Sequence, residues 1–257
     1  MNESKATVNW EKYKDNLQGS TAVTFGDDHV GGCNIYGDPV TELPKMWKHI
    51  VDTLNVKSVV DVGCGFGFHT KYFKESLNCE VLGIEGSQKV VELSLLPNDI
   101  VWHDYTTGKY SLNKPYDLAW CIECVEHIDE NYVDNFMETF STCKYVAMTH
   151  GLPGQGGYHH VNCQLPQYWI DVFHKWGFEL MQPFTNECRE ISKIDNSDFS
   201  EWIKDWRNPA PDKPYRGPAA ENAKYLLEQH YKVHSSDIPW GFYFAENGMI
   251  FKNFKMG

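Results

Sequence analysis

The stretch 59-VVDVGCGFGFHT-70 constrains this chain more than any other. An apolar run carrying one acid, Asp61, leads into glycines at alternate positions, Gly63, Gly65 and Gly67. Glycine weakens strands and helices alike, so three of them between a strand pattern and a helix pattern need a physical reason. A tight strand-to-helix turn with a ligand resting against bare main chain supplies one. In doubly wound α/β folds ligands sit outside the carboxyl ends of the strands, where the strand order reverses.

The rest of the chain fits that frame. Residues 57–62 read as a strand buried on both faces, 69–77 as a helix, 80–85 as a strand and 88–96 as a helix. Strands are predicted over 99–104 and 116–122, an amphipathic helix over 129–143, and a strand over 144–150. A helix over 165–176 and strands over 178–183 and 248–254 complete the pattern. Ahead of it, 42–54 has helical apolar spacing, with Met46, Trp47, Ile50, Val51 and Leu54 near one face. This alternation implies an α/β chain with a mostly parallel, doubly wound sheet. Residues 1–41 are polar and glycine-rich and read as an N-terminal arm or lid. Residues 184–247, with the proline-rich RNPAPDKPYRGP, break the rhythm and read as an insertion over the active face, a substrate lid. At 257 residues, one domain over 42–257 bearing that insertion is sufficient.

Charge narrows the partners. The chain has 23 Lys and Arg against 35 Asp and Glu, a formal net charge of −12, and no dense basic run. Phosphate recognition rests on clustered Lys and Arg, so neither nucleic acid nor an anionic membrane is expected. No apolar run reaches the roughly 18 residues that span a bilayer, and the polar N-terminus lacks a signal-peptide core. A cytoplasmic monomer or homodimer is expected. The eight cysteines are scattered through apparent core elements and read as reduced thiols. Cys121 and Cys124 form a C-x-x-C, but zinc would need two more ligands; His160 and Cys163 are the only chemically suited pair, and a divalent metal held by histidines and carboxylates stands as an alternative rather than the expectation.

The glycine spacing is not that of a dinucleotide site. Yet Glu85 closes the second strand eighteen residues past Gly67, and an acid there can hydrogen-bond both hydroxyls of a ribose. Taken in order, VVDVGCGFG, GIEGS, WHDY and YDLAWCIECVEHI resemble the successive signatures of class I S-adenosylmethionine-dependent methyltransferases. The resemblance covers roughly residues 55–183 plus the closing strand. It implies a seven-stranded Rossmann-like sheet with an antiparallel last strand, and S-adenosyl-L-methionine as cofactor. It further implies that Gly63, Cys64, Gly65 and Gly67 pass beside the methionine moiety and sugar, with Asp61 helping to hold the amine. Glu85 would grip the ribose diol, with Gly86 and Ser87 beside the adenine. Asp104 would accept from the adenine amine and Tyr105 would pack near the ring. Cys121, Ile122 and Glu123 would contribute contacts after the fourth strand, and Glu126, His127 and Ile128 match a common ending of that motif. Plain alternatives stand beside these roles: a turn or helix cap for Asp104, core packing for Tyr105, a solvated or capping carboxylate for Glu126.

Methyl transfer from a sulfonium is an in-line displacement in which the protein mainly orients and desolvates. An alcohol acceptor must also lose a proton, so a base near the methyl group is useful. The segment 149-THGLPGQGGYHHVNCQ-164 follows the fifth core strand and should lie on the cofactor face. Histidine suits a base because it titrates near neutrality, which makes His127, His150, His159 and His160 the catalytic candidates. Two adjacent histidines in an extended segment point apart, so one of His159 and His160 is expected to be scaffold. Asn162 can orient a base or a hydroxyl, and Gln155 and Gln164 add polar groups. Trp202, Trp206, Tyr215, Trp240 and Tyr243 would line a lid or anchor it, and Arg207 and Arg216 could meet an anionic group or stay solvated. The expected acceptor is the hydroxyl of a small polar metabolite, with a sugar as one candidate. N-methylation of a small molecule or protein, and a cofactor-binding pseudoenzyme subunit, are the alternatives.

Overall fold

The computed structural model describes residues 22–34, 41–153, 158–195 and 242–256. The predicted lid aromatics Trp202, Trp206, Tyr215 and Trp240, the loop cations Arg207 and Arg216, and Gln155 lie outside these residues, as does the side chain of Tyr243.

A short antiparallel pair, β1 (Ala22–Val23) and β2 (Cys33–Asn34), precedes the main body. Then follow α1 (Pro44–Leu54), β3 (Ser58–Val62), α2 (Phe68–Glu75), β4 (Glu80–Glu85), α3 (Gln88–Leu93), β5 (Ile100–Trp102) and β6 (Tyr116–Cys121). The second half runs α4 (Val133–Ser141), β7 (Cys143–Met148), α5 (Pro166–Trp176), β8 (Phe178–Leu180) and α6 (Gln182–Ile194). A helix over Phe242–Asn247, here α7, and β9 (Met249–Asn253) end the described chain. Seven strands form one sheet in the order β5-β4-β3-β6-β7-β9-β8. β9 runs antiparallel to both neighbours, and every other pairing is parallel. The chain steps outward from β3 through β4 to β5 and then returns to the other side of β3 with β6. The sheet therefore reverses its order at the tip of β3, as the glycine-rich turn implied.

Side-chain alternation sorts the core into two layers. Val60 and Val62, Ala119 and Cys121, Val146 and Met148 face one side, against Phe136 and Phe140 of α4 and Trp169 and Phe173 of α5. Val59, Leu118, Trp120, Tyr145 and Ala147 face the other, against Trp47 and Ile50 of α1, Phe73 of α2 and Cys188 of α6. Because both faces are covered, β3 is buried at every position from 59 to 62, which is why it reads as a continuous apolar run. Phe173 stacks on Phe251 with ring centroids 3.9 Å apart; truncating such a ring leaves a cavity costing about 3–5 kcal/mol.

Helix ends draw on both local and distant partners. Pro166 opens α5 and Gly177, at φ +93°, closes it in the left-handed conformation. By contrast, the N-terminus of α1 is capped from across the chain: the amides of Lys45 and Met46 each donate to the buried Asp195 carboxylate at 2.8 Å. The strand predicted over 178–183 is also corrected. β8 stops at Leu180, and Gln182 begins a helix of 13 residues. Pro183 lies in the first turn, where its missing N–H costs nothing. The helix predicted over 129–143 begins at Val133, after a 3-10 turn over Glu130–Tyr132. No helix among the described residues is long and apolar enough to cross a membrane.

Candidate active site

The turn between β3 and α2 sets the floor of the site. Gly63 sits at φ +71°, and a Cβ there would strike the Cys124 side chain, meeting its Cβ at 2.7 Å. Only glycine lets the tips of β3 and β6 come this close. Two residues on, the amide of Gly65 donates to Oε2 of Glu85 at 2.9 Å, and the amide of Ser87 donates to Oε1 at 2.9 Å. One buried carboxylate at the end of β4 thus ties the glycine turn to the start of α3. Burial pushes the Glu85 pKa up, with the two amides opposing that shift. Each oxygen keeps a lone pair for another donor.

Asp61 lies beneath the turn. It is buried, and its Oδ2 accepts from the Thr70 hydroxyl at 2.6 Å. Burial raises its pKa to about 7. It is not among the residues lining the cleft described below. Asp104, past β5, accepts from the Thr106 amide at 2.8 Å through Oδ1 and pairs with His29 Nε2 at 2.9 Å through Oδ2. It is therefore a turn cap and a cleft residue at once. Burial works to raise its pKa, but the bonds from His29 and Thr106 prevail and hold it below the usual range. Tyr105 lines the cleft, while its hydroxyl reaches Thr139 at 2.9 Å in the main core.

At the tip of β6, Cys121 is wholly buried and Ile122 nearly so. Glu123 adopts φ +50°, an uncommon conformation for a residue with a side chain. Thr149 holds it there: the Glu123 amide donates to Thr149 Oγ1 at 2.8 Å, and that hydroxyl donates to Glu123 Oε1 at 2.7 Å. Such strain, fixed by a dedicated partner, clusters at functional sites. A 3-10 turn over Val125–His127 follows. It carries Glu126, which is not solvated as its place before a helix suggested. Its side chain is fully buried, and neither carboxylate oxygen has a hydrogen-bond partner. Burial raises its pKa to about 7.

The loop after β7 folds onto that turn. The amides of Val161 and Asn162 both donate to the Glu126 carbonyl, at 2.9 and 3.0 Å. The rings of His127 and His160 then meet edge to face, 4.9 Å apart. Burial, with His160 close by, lowers the His127 pKa to about 4. His159 sits in the left-handed region at φ +53°, so the pair is not extended; its Nδ1 lies 3.2 Å from the His127 carbonyl. Both neighbours thus approach His127, where alternation predicted divergence. His160 Nδ1 lies 3.6 Å from the Cys163 thiol. His150 is placed apart: it is buried, its Nδ1 is 3.2 Å from the Gly151 carbonyl, and it does not line the cleft. Asn162 is buried with its Oδ1 accepting from Gln164 at 3.1 Å.

These pieces border one cleft enclosing about 720 Å³, part of it open to solvent. Gly63, Gly65, Glu85, Gly86, Ser87, Asp104, Tyr105, Glu123 and His127 line it. So do residues for which the sequence indicated no cofactor role: His29, Val30, Gly31, Cys33, His103, Thr106 and Cys124. The first three belong to the segment joining β1 and β2, and Cys33 opens β2; the segment packs so tightly that a Cβ on Gly31 would lie 2.8 Å from His127 Nδ1. The glycine- and acid-rich run GDDHVGGC was the available signal for this segment.

Comparison with known proteins finds methyltransferases. Residues 59–144 match the family model described as a methyltransferase domain. Among solved structures, the methyltransferase domain of bacterial CtHen1 is 19% identical with a TM-score of 0.44, over 56% of this chain and 88% of that one. The plantazolicin methyltransferase BpumL, solved with a desmethyl-plantazolicin analogue and SAH, is 18% identical with a TM-score of 0.45, over 68% and 81%. The StiE O-MT structure is 16% identical with a TM-score of 0.45, over 82% and 74%. At such identities and scores these likenesses carry no argument about chemistry. None of the curated proteins compared matches the chain.

Proposed function

We propose that this chain is a class I S-adenosylmethionine-dependent methyltransferase that methylates a hydroxyl of a small polar metabolite, a sugar being one candidate. The cleft suits the cofactor: a glycine turn that any Cβ would block at Gly63, and a main-chain-anchored carboxylate at Glu85. The remaining lone pairs of Glu85 would take the ribose hydroxyls. Asp104 would take the adenine amine, and the main chain of Gly63 and Gly65 would run beside the methionine moiety. When bound, S-adenosylmethionine supplies a methyl group already activated on a sulfonium.

The protein must then orient the acceptor, exclude water and provide for its proton. The observation that carries the hydroxyl reading is the contact between His127, on the cleft wall, and His160, from the loop after β7. His127, with its pKa near 4, is neutral at physiological pH. An uncharged imidazole on the cleft wall keeps a lone pair that can help activate a hydroxyl; a neutral amine has no such need. The test is release of S-adenosylhomocysteine with matched polyol and polyamine acceptors, the methylated atom being identified by NMR. Transfer confined to nitrogen overturns the hydroxyl reading. Cofactor binding without turnover on any acceptor leaves a pseudoenzyme.

A further inference from the structure

We propose that Glu126, His127 and His160 form a binding site for a divalent metal ion that holds the acceptor's oxygens beside the cofactor cleft, which deepens the O-methylation reading and rests on it for the ion's role. The ligand atoms of these three residues, one carboxylate oxygen and one ring nitrogen from each histidine, all lie within 4.8 Å of one another. Bonds of about 2.0–2.2 Å from a single ion bridge atoms at that spacing with small side-chain adjustments.

The second observation is Glu126 itself. Its side chain has no exposure, and both oxygens lack a hydrogen-bond partner. Buried charges in proteins are paired or coordinate metals, and an orphaned carboxylate facing two imidazoles meets that description. The main chain presents the ligands to one another: the Glu126 carbonyl receives the amides of Val161 and Asn162, which clamps the His160 loop onto the turn bearing His127. Cys163, 3.6 Å from His160 Nδ1, steadies that ring, as partners outside the ligand set commonly do for metal-bound histidine. Thr149 meanwhile pins a second carboxyl, Glu123, at the cleft edge in a strained backbone conformation.

Two imidazoles and one carboxylate suit a first-row divalent ion. Three protein ligands leave as many as three positions on a six-coordinate ion. A pair of neighbouring hydroxyls fills two of them, so the site favours an acceptor with vicinal oxygens. His127 also lines the cleft that holds Gly63 and Glu85, which puts the open positions on the cofactor side. The ion makes the acceptor hydroxyl more acidic. Its proton passes to water, the oxygen bonds to the methyl carbon, and the carbon–sulfur bond breaks with its electron pair returned to sulfur. Nothing is oxidised or reduced.

The test needs neither cofactor nor acceptor. Untagged full-length protein is stripped with chelator, checked by circular dichroism, and titrated with Mn²⁺, following loss of the free-ion EPR signal. One ion per chain is expected. Glu126→Gln, which keeps side-chain shape, and His160→Ala, on a loop, should each weaken binding at least 100-fold while retaining the wild-type spectrum. The site is overturned if the wild type binds none of Mn²⁺, Fe²⁺, Co²⁺ or Zn²⁺ stoichiometrically, or if both variants bind as the parent does. A separate assay isolates the premise. Stoichiometric binding with methylation only at nitrogen sinks the hydroxyl reading and spares the site. Full-rate O-methylation by stripped enzyme spares that reading and sinks the ion's role.

Discussion

The indole N–H of Trp120 donates to Nδ1 of His69 at 3.2 Å, so this imidazole must keep Nδ1 bare. Its other nitrogen lies 3.1 Å from the Thr41 hydroxyl. Glu42, at 3.8 Å, would favour a charged ring, but burial dominates and lowers the pKa to about 4. An ordinary histidine titrates near 6.5 in the unfolded chain. The folded state therefore binds fewer protons between these values, and stability falls as pH drops from about 6.5 toward 4. This group should account for about 3 kcal/mol of that loss. Urea unfolding of the wild type and His69→Gln should show a stability gap that is wide at pH 7 and narrow at pH 4.5; a gap independent of pH would refute the neutral assignment.

Asp61 works in the opposite direction. Its pKa rises from 3.8 to about 7 through burial, so the folded state holds a proton that the unfolded state has lost. Its contribution is greatest below pH 4 and declines as pH climbs to about 7. Asp61 and His69 thus partly cancel in the wild type. Asp61→Asn should unmask the histidine, giving a stability that rises more steeply over pH 4–6.5 than the parent's, by about 1 kcal/mol per pH unit. The same urea series reads it, and parallel curves would count against a buried, proton-holding Asp61.

Glu85 anchors two amides and, in the proposed complex, the ribose. Replacing it with Gln puts an NH₂ group against one of those amide donors and removes a charged acceptor. Hydrogen bonds to charged groups contribute about 1.5–3 kcal/mol, so affinity for S-adenosylmethionine should fall by roughly 10- to 150-fold. Calorimetric titration measures it; undiminished affinity would show that the nucleoside is held elsewhere.

Asp195 caps α1 from about 150 residues away in sequence. Asp195→Ala should cost about 2 kcal/mol, the upper end for a lost cap, because both amides are left without a partner. The loss should appear as a lower urea midpoint with an unchanged slope. A change within about 0.5 kcal/mol would mean water replaces the carboxylate fully.

Much of this molecule was legible in the sequence because its signals are local. The strands of the sheet show the alternation or continuous burial that their place demands, and α5 is bracketed by Pro166 and Gly177. The turn at Gly63 announces a close approach, although the partner that makes it necessary, Cys124, is 61 residues away. What stayed hidden depends on distant neighbours. Pro183 falls within the strand predicted over 178–183, yet it lies in the first turn of α6. Glu126 sits in a polar stretch before a helix, where carboxylates are usually solvated; yet it is buried, and its carbonyl takes the amides of Val161 and Asn162, 35 and 36 residues on. The conformations of Glu123 and His159 have no glycine to mark them. And nothing local indicates that His29 would meet Asp104.

That last contact borders the proposed cofactor site. The segment over 27–33 shares the cleft with Glu85 and Asp104 and closes against Gly86 and His127. In the proposed complex, a spent nucleoside departing on that side would have to part His29 from Asp104 first, which would tie its dwell time to a latch remote from sulfur. Turnover would then saturate at the pace of release, however readily the methyl group moves.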